Sequence, residues 1–304
     1  MAHEKRDLHG VILLDKPQGV SSNRALQRVK HLLRARKAGH TGSLDPLATG
    51  MLPICLGDAT RFSQYLLDAN KRYRVRARLG RSSTTGDGEG ALSAPVPISD
   101  FSHDEWQTLV NRFVGEIEQT PPMYSALKHD GKRLYEIARH GKTVERPARR
   151  ITVVACTVIS IDEDVLELDV LCSKGTYIRT LVEDIATAAG TLAWTERLHR
   201  TAVSPFHQPM ISLESLEMDV EQGHDPARHL LPVASCIETM PSVDFDRAAS
   251  LAFCEGQAVD VEYPEGRYQC VGPESLLLGV VEIDSDGKIA RRKVLSSARE
   301  TLSR

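Results

Sequence analysis

The sequence predicts an α+β fold with a mixed or antiparallel sheet, and three observations carry that prediction. Strand-like and helix-like stretches follow one another without the regular alternation of a βαβα protein. Arg72 to Leu79 alternates with period two, setting Arg72, Arg74, Arg76 and Arg78 on one face and Tyr73, Val75, Ala77 and Leu79 on the other, the pattern of a half-buried strand. Two apolar runs, Ile151 to Ile161 and Val165 to Leu171, flank the turn Asp162-Glu163-Asp164 and read as a strand pair. At 304 residues the chain can bury a sizeable core, in one large domain with a smaller one behind it.

In chain order, Gly10 to Asp15 reads as a short buried strand. Ser21 or Ser22 caps a helix that runs to about Leu33, with Leu26 and Val29 inward and Arg24, Arg28 and Arg34 elsewhere. That basic face suits either plain solvation or contact with RNA. Ser99 to Val114 is expected as a surface helix with Trp106 and Phe113 packed inward. Residues 121–150 are turn-rich and basic, a projecting element rather than core. A helix from about Ile178 to Ala189 turns Leu181, Val182 and Ile185 inward and stops near Gly190. Ser212 to His229 is polar and poor in large apolar residues. A separate unit follows, with a helix over Phe245 to Cys254 and strands around Ala258 to Val261, Leu276 to Ile283 and Ile289 to Val294. The last two are joined at Asp284-Ser285-Asp286-Gly287, a strong hairpin turn.

Formal net charge is −3, so no global field announces a nucleic-acid partner. The basic charge is local. Lys128 to Arg150 carries eight Lys/Arg against Asp130, Glu136 and Glu145, a net of +5, and Arg24 to Lys37 carries six Lys/Arg and no acid. The polar stretch Met1 to Gly10 predicts no secretory signal, and Gly10 to Leu14 is too short to span a bilayer. Six scattered cysteines without a Cys-x-x-Cys pair predict free thiols in a reducing cytoplasm. Neither His nor Cys spacing predicts a metal site, and no phosphate-binding glycine motif is present. Gly86-Asp87-Gly88-Glu89-Gly90 is glycine-rich but acidic, and reads as a solvated connection.

The most informative stretch is Gly39-His40-Thr41-Gly42-Ser43-Leu44-Asp45-Pro46-Leu47-Ala48-Thr49-Gly50. It sets one short carboxylate among residues that control the backbone, with Pro46 biasing Asp45 towards extended geometry. A stiffened loop suits a nucleophile or acid/base whose reach must be constrained.

That run, continued through Met51 to Arg61, closely resembles the catalytic motif of the TruB-type tRNA pseudouridine-55 synthases. Asp15-Lys16-Pro17-Gln18-Gly19-Val20-Ser21-Ser22, Lys71-Arg72-Tyr73, Pro121-Pro122-Met123-Tyr124-Ser125-Ala126 and Lys174-Gly175-Thr176-Tyr177-Ile178-Arg179 resemble further family blocks in family order, across about residues 10 to 206. The resemblance implies a pseudouridine synthase catalytic domain over 1–237, with an RNA-clasping insertion at about 121–150. It also implies a small PUA-like barrel over 238–304. It makes Asp45 the nucleophile, Arg179 its paired arginine, and Tyr73 a stacking partner of uracil placed to assist proton removal at C5. Tyr177 and Leu198 line the base pocket, Lys16 supports it, and His40 meets the flipped RNA. In the insertion, Lys128, Lys132, Arg133, Arg139, Lys142, Arg146 and Arg149 would meet phosphates.

The implied reaction is an isomerisation of tRNA that needs no cofactor, no metal and no protein partner, carried out by a cytoplasmic monomer. A guide-RNA-dependent synthase and a non-catalytic tRNA-folding protein are the competing readings. Asp45 argues against the second, because a pure binder has no use for a carboxylate facing anionic RNA. Two positions depart from the pattern. Thr84 stands where many members carry an acid, and His199 where an arginine is usual.

Overall fold

The computed structural model describes residues 4–302. Strand β1 (Gly10–Lys16) leads into helix α1 (Ser22–Leu32), whose first turn is capped by the Ser21 hydroxyl accepting from the Arg24 N–H. Strands β2 (Ala38–His40) and β3 (Thr49–Leu56) flank the Asp45 loop. Helix α2 (Ser63–Asp68), strand β4 (Lys71–Leu79), helix α3 (His103–Asn111) and strand β5 (Gly115–Gln119) follow. The basic insertion folds as a short hairpin, β6 (Lys128–His129) and β7 (Lys132–Arg133), with helix α4 (Leu134–Arg139). Strands β8 (Arg149–Asp162) and β9 (Val165–Cys172), helix α5 (Ile178–Ala188) and strand β10 (Ala193–Val203) complete the centre. Strand β11 (Ile211–Ser212) and helix α6 (Leu213–Glu221) close it.

These strands form one nine-stranded mixed sheet in the order β11-β1-β3-β10-β4-β9-β8-β5, with β2 paired to β3. The pairs β1–β11 and β3–β10 are parallel, and the others are antiparallel. The alternation along β4 is realised in full. Tyr73, Val75, Ala77 and Leu79 enter the core beneath α1, α3, α5 and α6. On the opposite face Arg72 pairs with Asp169 at 2.6 Å, while Arg76 and Arg78 pair with Glu196 at 2.7 and 2.9 Å. Acids on the neighbouring strands thus neutralise Arg72, Arg76 and Arg78, while Arg74 has no ion-pair partner among the described residues.

The C-terminal unit comprises β12 (Ser242–Asp244), α7 (Arg247–Glu255), β13 (Gly266–Val271), β14 (Leu277–Ile283), β15 (Ile289–Val294) and α8 (Ser296–Leu302). Strands β1 and β3 are buried on both faces. Ile12, Leu14, Leu52 and Ile54 serve the catalytic core, whereas Val11, Leu13, Met51 and Cys55 share a second core with Phe253, Leu278 and Val281. Buried Asp58 adds a polar tie, accepting from the Ser296 hydroxyl at 2.7 Å and the Ser297 N–H at 3.1 Å at the start of α8.

Several expectations need correction. The helix expected over Ser99–Val114 is shorter, because Ser102 and Glu105 form a capping box that starts it at His103. The polar segment after Ser212 contains α6, held by Leu216 in the core and by an Arg28–Glu217 pair at 2.6 Å. Residues 258–261 form no strand, although Val259 and Val261 still pack on the second core. Strands β12 and β13 were not anticipated. Among the described residues the C-terminal strands form an open four-stranded sheet, β12-β13-β14-β15, and no closed barrel is found. All six cysteines are buried free thiols. Among the described residues no helix is long and apolar enough to cross a membrane.

Candidate active site

The Asp45 loop is clamped on both sides of the carboxylate. The Ser22 hydroxyl accepts from the Leu44 N–H at 2.8 Å and donates to the Leu44 carbonyl at 2.9 Å. On the other side the Pro46 carbonyl accepts from the Gly19 N–H at 2.8 Å. Lys16, fully buried, donates its ammonium to the carbonyls of Pro17 and Val20 at 2.8 and 2.7 Å and approaches that of Pro46 at 3.5 Å. It is therefore not a solvated lysine but a strut beneath the loop. Gly50, at φ +98°, ends the loop against β10; a Cβ there would lie 2.3 Å from the Arg200 carbonyl oxygen, so only glycine fits.

Held this way, the Asp45 side chain stays 47% exposed while its partner is buried. Arg179, 7% exposed in the first turn of α5, reaches the Asp45 carboxylate at 2.8 Å. The guanidinium is fixed from behind. It donates to the carbonyls of Thr85 and Tyr124 at 2.7 Å each and pairs with Asp87 at 3.1 Å. The Asp87 side chain is only 5% exposed, accepts from the Thr85 hydroxyl at 2.6 Å and from the Glu89 N–H at 3.1 Å, and so has its oxygens occupied. The 86–90 loop, expected as a solvated connection, thus carries a buried carboxylate. Gly86 makes this possible, since a Cβ there would meet the Glu183 carboxylate at 2.9 Å and the Arg179 Cβ at 3.4 Å.

Tyr73 and Leu198 lie buried on one face of the sheet. Arg200 pairs in register with Tyr73 across β4 and β10 and shares that face with Leu198, two residues away. Arg200 is 1% exposed, donating through Nε to the Met51 carbonyl at 2.7 Å and through its terminal nitrogen to the Gly42 carbonyl at 2.9 Å. It ties both flanks of the Asp45 loop to the floor of the site, and the sequence reading missed it. Burial raises the Tyr73 and Tyr177 phenols above their usual values, so both are neutral at neutral pH. Tyr177, two residues before Arg179, is placed by its N–H, which donates to the Gln119 side-chain oxygen at 2.8 Å. Burial, and then Arg200, lower the His40 imidazole. Its Nδ1 is buried without a hydrogen-bond partner. Burial outweighs the attraction of Asp45 at Lys16 and brings that ammonium down to about 8. Both departing residues have hydrogen-bond partners of their own. Thr84 is exposed, and its hydroxyl accepts from the Ala91 N–H at 3.1 Å. His199 Nδ1 lies 2.8 Å from the Thr49 hydroxyl at the loop's exit.

The insertion divides into two groups. Lys128, Lys132, Arg133, Arg139, Lys142 and Arg149 are exposed. Arg133 and Arg139 lie over the Tyr135 ring at 5.8 and 5.4 Å. Arg146 is different: it is half-buried and donates to the Pro121 carbonyl at 2.9 Å, which makes it a tether at the insertion's base. The same base holds the site, because the Tyr135 N–H bonds to the Ser125 carbonyl and the adjacent Tyr124 carbonyl holds Arg179. Among the described residues no group of His, Cys, Asp and Glu could hold a metal.

A mixed sheet bearing a clamped aspartate paired with a helix-borne arginine is the architecture of a pseudouridine synthase. The fold matches a chain of the Cbf5-Nop10-Gar1 complex with a TM-score of 0.70 at 26% identity, over 94% of this chain and 83% of that one. Residues 30–178 match the model of the TruB family pseudouridylate synthase N-terminal domain, and residues 179–238 that of the tRNA pseudouridylate synthase B C-terminal domain. Relatives named tRNA pseudouridine synthase B include those of Tolumonas auensis, 46% identical over 95% of this chain and 93% of its own length, and of Cupriavidus metallidurans, 48% identical over 92% of each. The chain belongs to the TruB family of pseudouridylate synthases.

Proposed function

We propose that the protein isomerises uridine to pseudouridine at position 55 in the T-loop of tRNA, with Asp45 as nucleophile on a flipped-out base. The observation that carries this reading is the exposed Asp45 carboxylate held 2.8 Å from the buried Arg179 guanidinium. One member of the pair is free to meet a base, and the other is fixed by Thr85, Tyr124 and Asp87. The reaction breaks N1–C1′ and joins C5 to C1′. The C5 proton leaves and N1 regains one, so composition and redox state are unchanged and no cofactor is called for.

Asp45 serves in any of three routes: attack on C6, attack on C1′, or abstraction of a sugar proton. Each needs a carboxylate held at fixed reach, which the clamps on Leu44 and Pro46 supply. Tyr73, neutral and buried, offers a ring for stacking and a hydroxyl near C5. Tyr177 and Leu198 line the pocket, Lys16 supports the loop, and His40 meets the displaced RNA. Unstacking the base costs a few kcal/mol, recovered through stacking and phosphate contacts. Exposed Lys128, Lys132, Arg133, Arg139, Lys142 and Arg149 provide the latter.

Residues 1–237 act as the catalytic domain. Residues 238–304 act as a PUA-like RNA-binding unit, a reading supported by strand content and by the family resemblance. The enzyme works as a cytoplasmic monomer without a guide RNA. The relatives alike over nearly the whole chain are named as tRNA enzymes, and the basic insertion supplies a clasp of its own. Incubation with an unmodified tRNA transcript alone, followed by chemical mapping, tests this. Pseudouridine at position 55 is expected; an unmodified transcript, or modification only when a guide RNA is added, overturns it.

A further inference from the structure

A groove of about 990 Å³ lies away from Asp45, at the far end of α1, between the N-terminal segment and the residues after α6. Cationic Lys5, Arg6, Lys30 and Arg34 line it, and among the described residues Asp225 is its sole carboxylate. That carboxylate is already consumed: Arg6 grips it with two bonds of 2.7 Å, and Arg6, with Arg34 adding, holds the acid down at about 2. Lys5 and Lys30 are left without an acidic partner among the described residues, and Arg34 shares Asp225 with Arg6 without an ion pair of its own. Such uncompensated charge in a concave site attracts phosphate.

The backbone adds a second observation. The Arg34 N–H bonds to the His31 carbonyl and the Ala35 N–H to the Lys30 carbonyl, closing α1 as a Schellman motif. Arg34 occupies the left-handed position of that motif at φ +52°, where glycine is at ease and arginine is not. Arginine in this conformation carries strain that glycine would not, and a strained position that sets a long cationic side chain at a groove points to a use for that side chain. The N-terminal segment is drawn into the same place. The Arg6 N–H bonds to the Arg34 carbonyl at 2.8 Å and the Arg36 N–H to the Arg6 carbonyl at 2.9 Å.

We propose that this groove binds backbone phosphates of tRNA outside the T-arm, a second contact that rests on the reading of tRNA as substrate. Helix α1 links the two places. Ser22 at its start clamps the Asp45 loop, and its eleven residues put the groove about 16 Å further on. Phosphates are spaced along the whole tRNA backbone, so one molecule can reach both places at once, and comparison with an isolated T-arm hairpin decides whether the phosphates come from beyond the T-arm.

The test titrates full-length unmodified transcript and the isolated T-arm hairpin against wild type, Arg34→Gly and the double variant Lys5→Ala/Lys30→Ala over a range of salt. Arg34→Gly is the cleaner variant, since glycine suits φ +52° and its melting temperature should hold or rise. With the full transcript the salt slope should fall by about 0.7–0.9 for each phosphate-binding cation replaced. Hairpin binding and the single-turnover rate at saturating tRNA should not change. Unchanged slopes on the full transcript, or equal losses on the hairpin, overturn the proposal. Sodium tripolyphosphate that raises the melting temperature of wild type but not of Arg34→Gly, with tRNA slopes unchanged, assigns the groove to a small anion and also overturns it. A wild type unable to modify the transcript strikes the substrate reading and the groove together; an active one with unchanged slopes strikes the groove alone.

Discussion

Arg179 and Asp87 meet at 3.1 Å inside the protein, each with almost no access to water. The pair leaves one guanidinium nitrogen turned outward, and that nitrogen reaches Asp45 at 2.8 Å. Asp87 therefore acts on the Asp45 carboxylate through Arg179, as a positioning residue in the proposed reaction. Asp87→Asn keeps the shape and removes the charge. Turnover at saturating tRNA should drop about 100-fold, the scale of a reacting group displaced by about 1 Å, with tRNA affinity within about tenfold of wild type. Asp87→Ala should also lower stability, by up to about 3–5 kcal/mol, because a buried guanidinium loses its partner. Wild-type turnover in Asp87→Asn would make the buried pair a purely structural one.

The sequence was legible where local pattern decides structure. Period two along Arg72 to Leu79 set Tyr73 inward, and the serines before α1 marked its start. Asp45 stood out because Pro46 and the neighbouring glycines control the backbone around it. Asp87 was illegible for the converse reason. Composition makes an acidic glycine loop look solvated, yet its burial comes from α5 packing over Gly86, between residues distant in sequence. Arg200 hid in the same way, since nothing local marks an arginine that will bond to Met51 and Gly42. Residues 258–261 show the opposite error: an apolar alternation suggested a strand, yet Val259 and Val261 only pack half-buried on the second core, because a strand also needs a partner edge.

Asp45→Asn should abolish isomerisation while leaving tRNA affinity within about tenfold. In the proposed reaction the carboxylate serves bond-making, whereas phosphate and stacking contacts carry the binding. Gel-shift titration beside a pseudouridine assay separates the two. Turnover near wild type would remove Asp45 from the chemistry.

The exposed lysines of the insertion should act on binding alone. Lys128, Lys132 and Lys142 have no acidic partner among the described residues, whereas Arg146 is tied to Pro121. Their triple replacement by Ala should weaken tRNA binding and flatten its log–log salt dependence by about 0.7–0.9 for each phosphate no longer neutralised. Arg146→Ala should instead loosen the base of the insertion and lower turnover through Tyr124 and Arg179. Equal slopes for the triple variant and wild type would mean that these lysines face only solvent.

Lys71 gives a prediction in pH. Its ammonium is buried, donating to the carbonyls of Leu66, Leu67 and Ala69 at the end of α2. Burial, with Arg200 adding, lowers it from 10.5 to about 8. Between those values the unfolded chain holds a proton that the folded chain has lost. Stability from this group therefore rises with pH across the window of about 8 to 10.5, and is lost as pH falls back through that window to about 8. In urea unfolding, Lys71→Met should be less stable than wild type by an amount that widens from pH 7.5 towards pH 10. A deficit independent of pH would place the Lys71 ammonium at its ordinary value.

Tyr73 is where a core role and a catalytic role part most sharply. Its ring is buried among apolar neighbours, and Arg200 stands across from it. Arg200 keeps its bonds to Met51 and Gly42 without the phenol, so losing the hydroxyl alone should cost only about 0.5–1.5 kcal/mol of stability. If the hydroxyl assists proton removal at C5, Tyr73→Phe should bind tRNA normally yet lose turnover by about 10²–10⁴. Tyr73→Leu should lose stacking as well, weakening both binding and turnover. Single-turnover rates at saturating tRNA, read beside melting temperatures, distinguish these outcomes. A fully active Tyr73→Phe enzyme would leave stacking and remove proton transfer. Equal activity in Tyr73→Leu would return the residue to the core, and the general base at C5 would have to be sought among the other groups around Asp45.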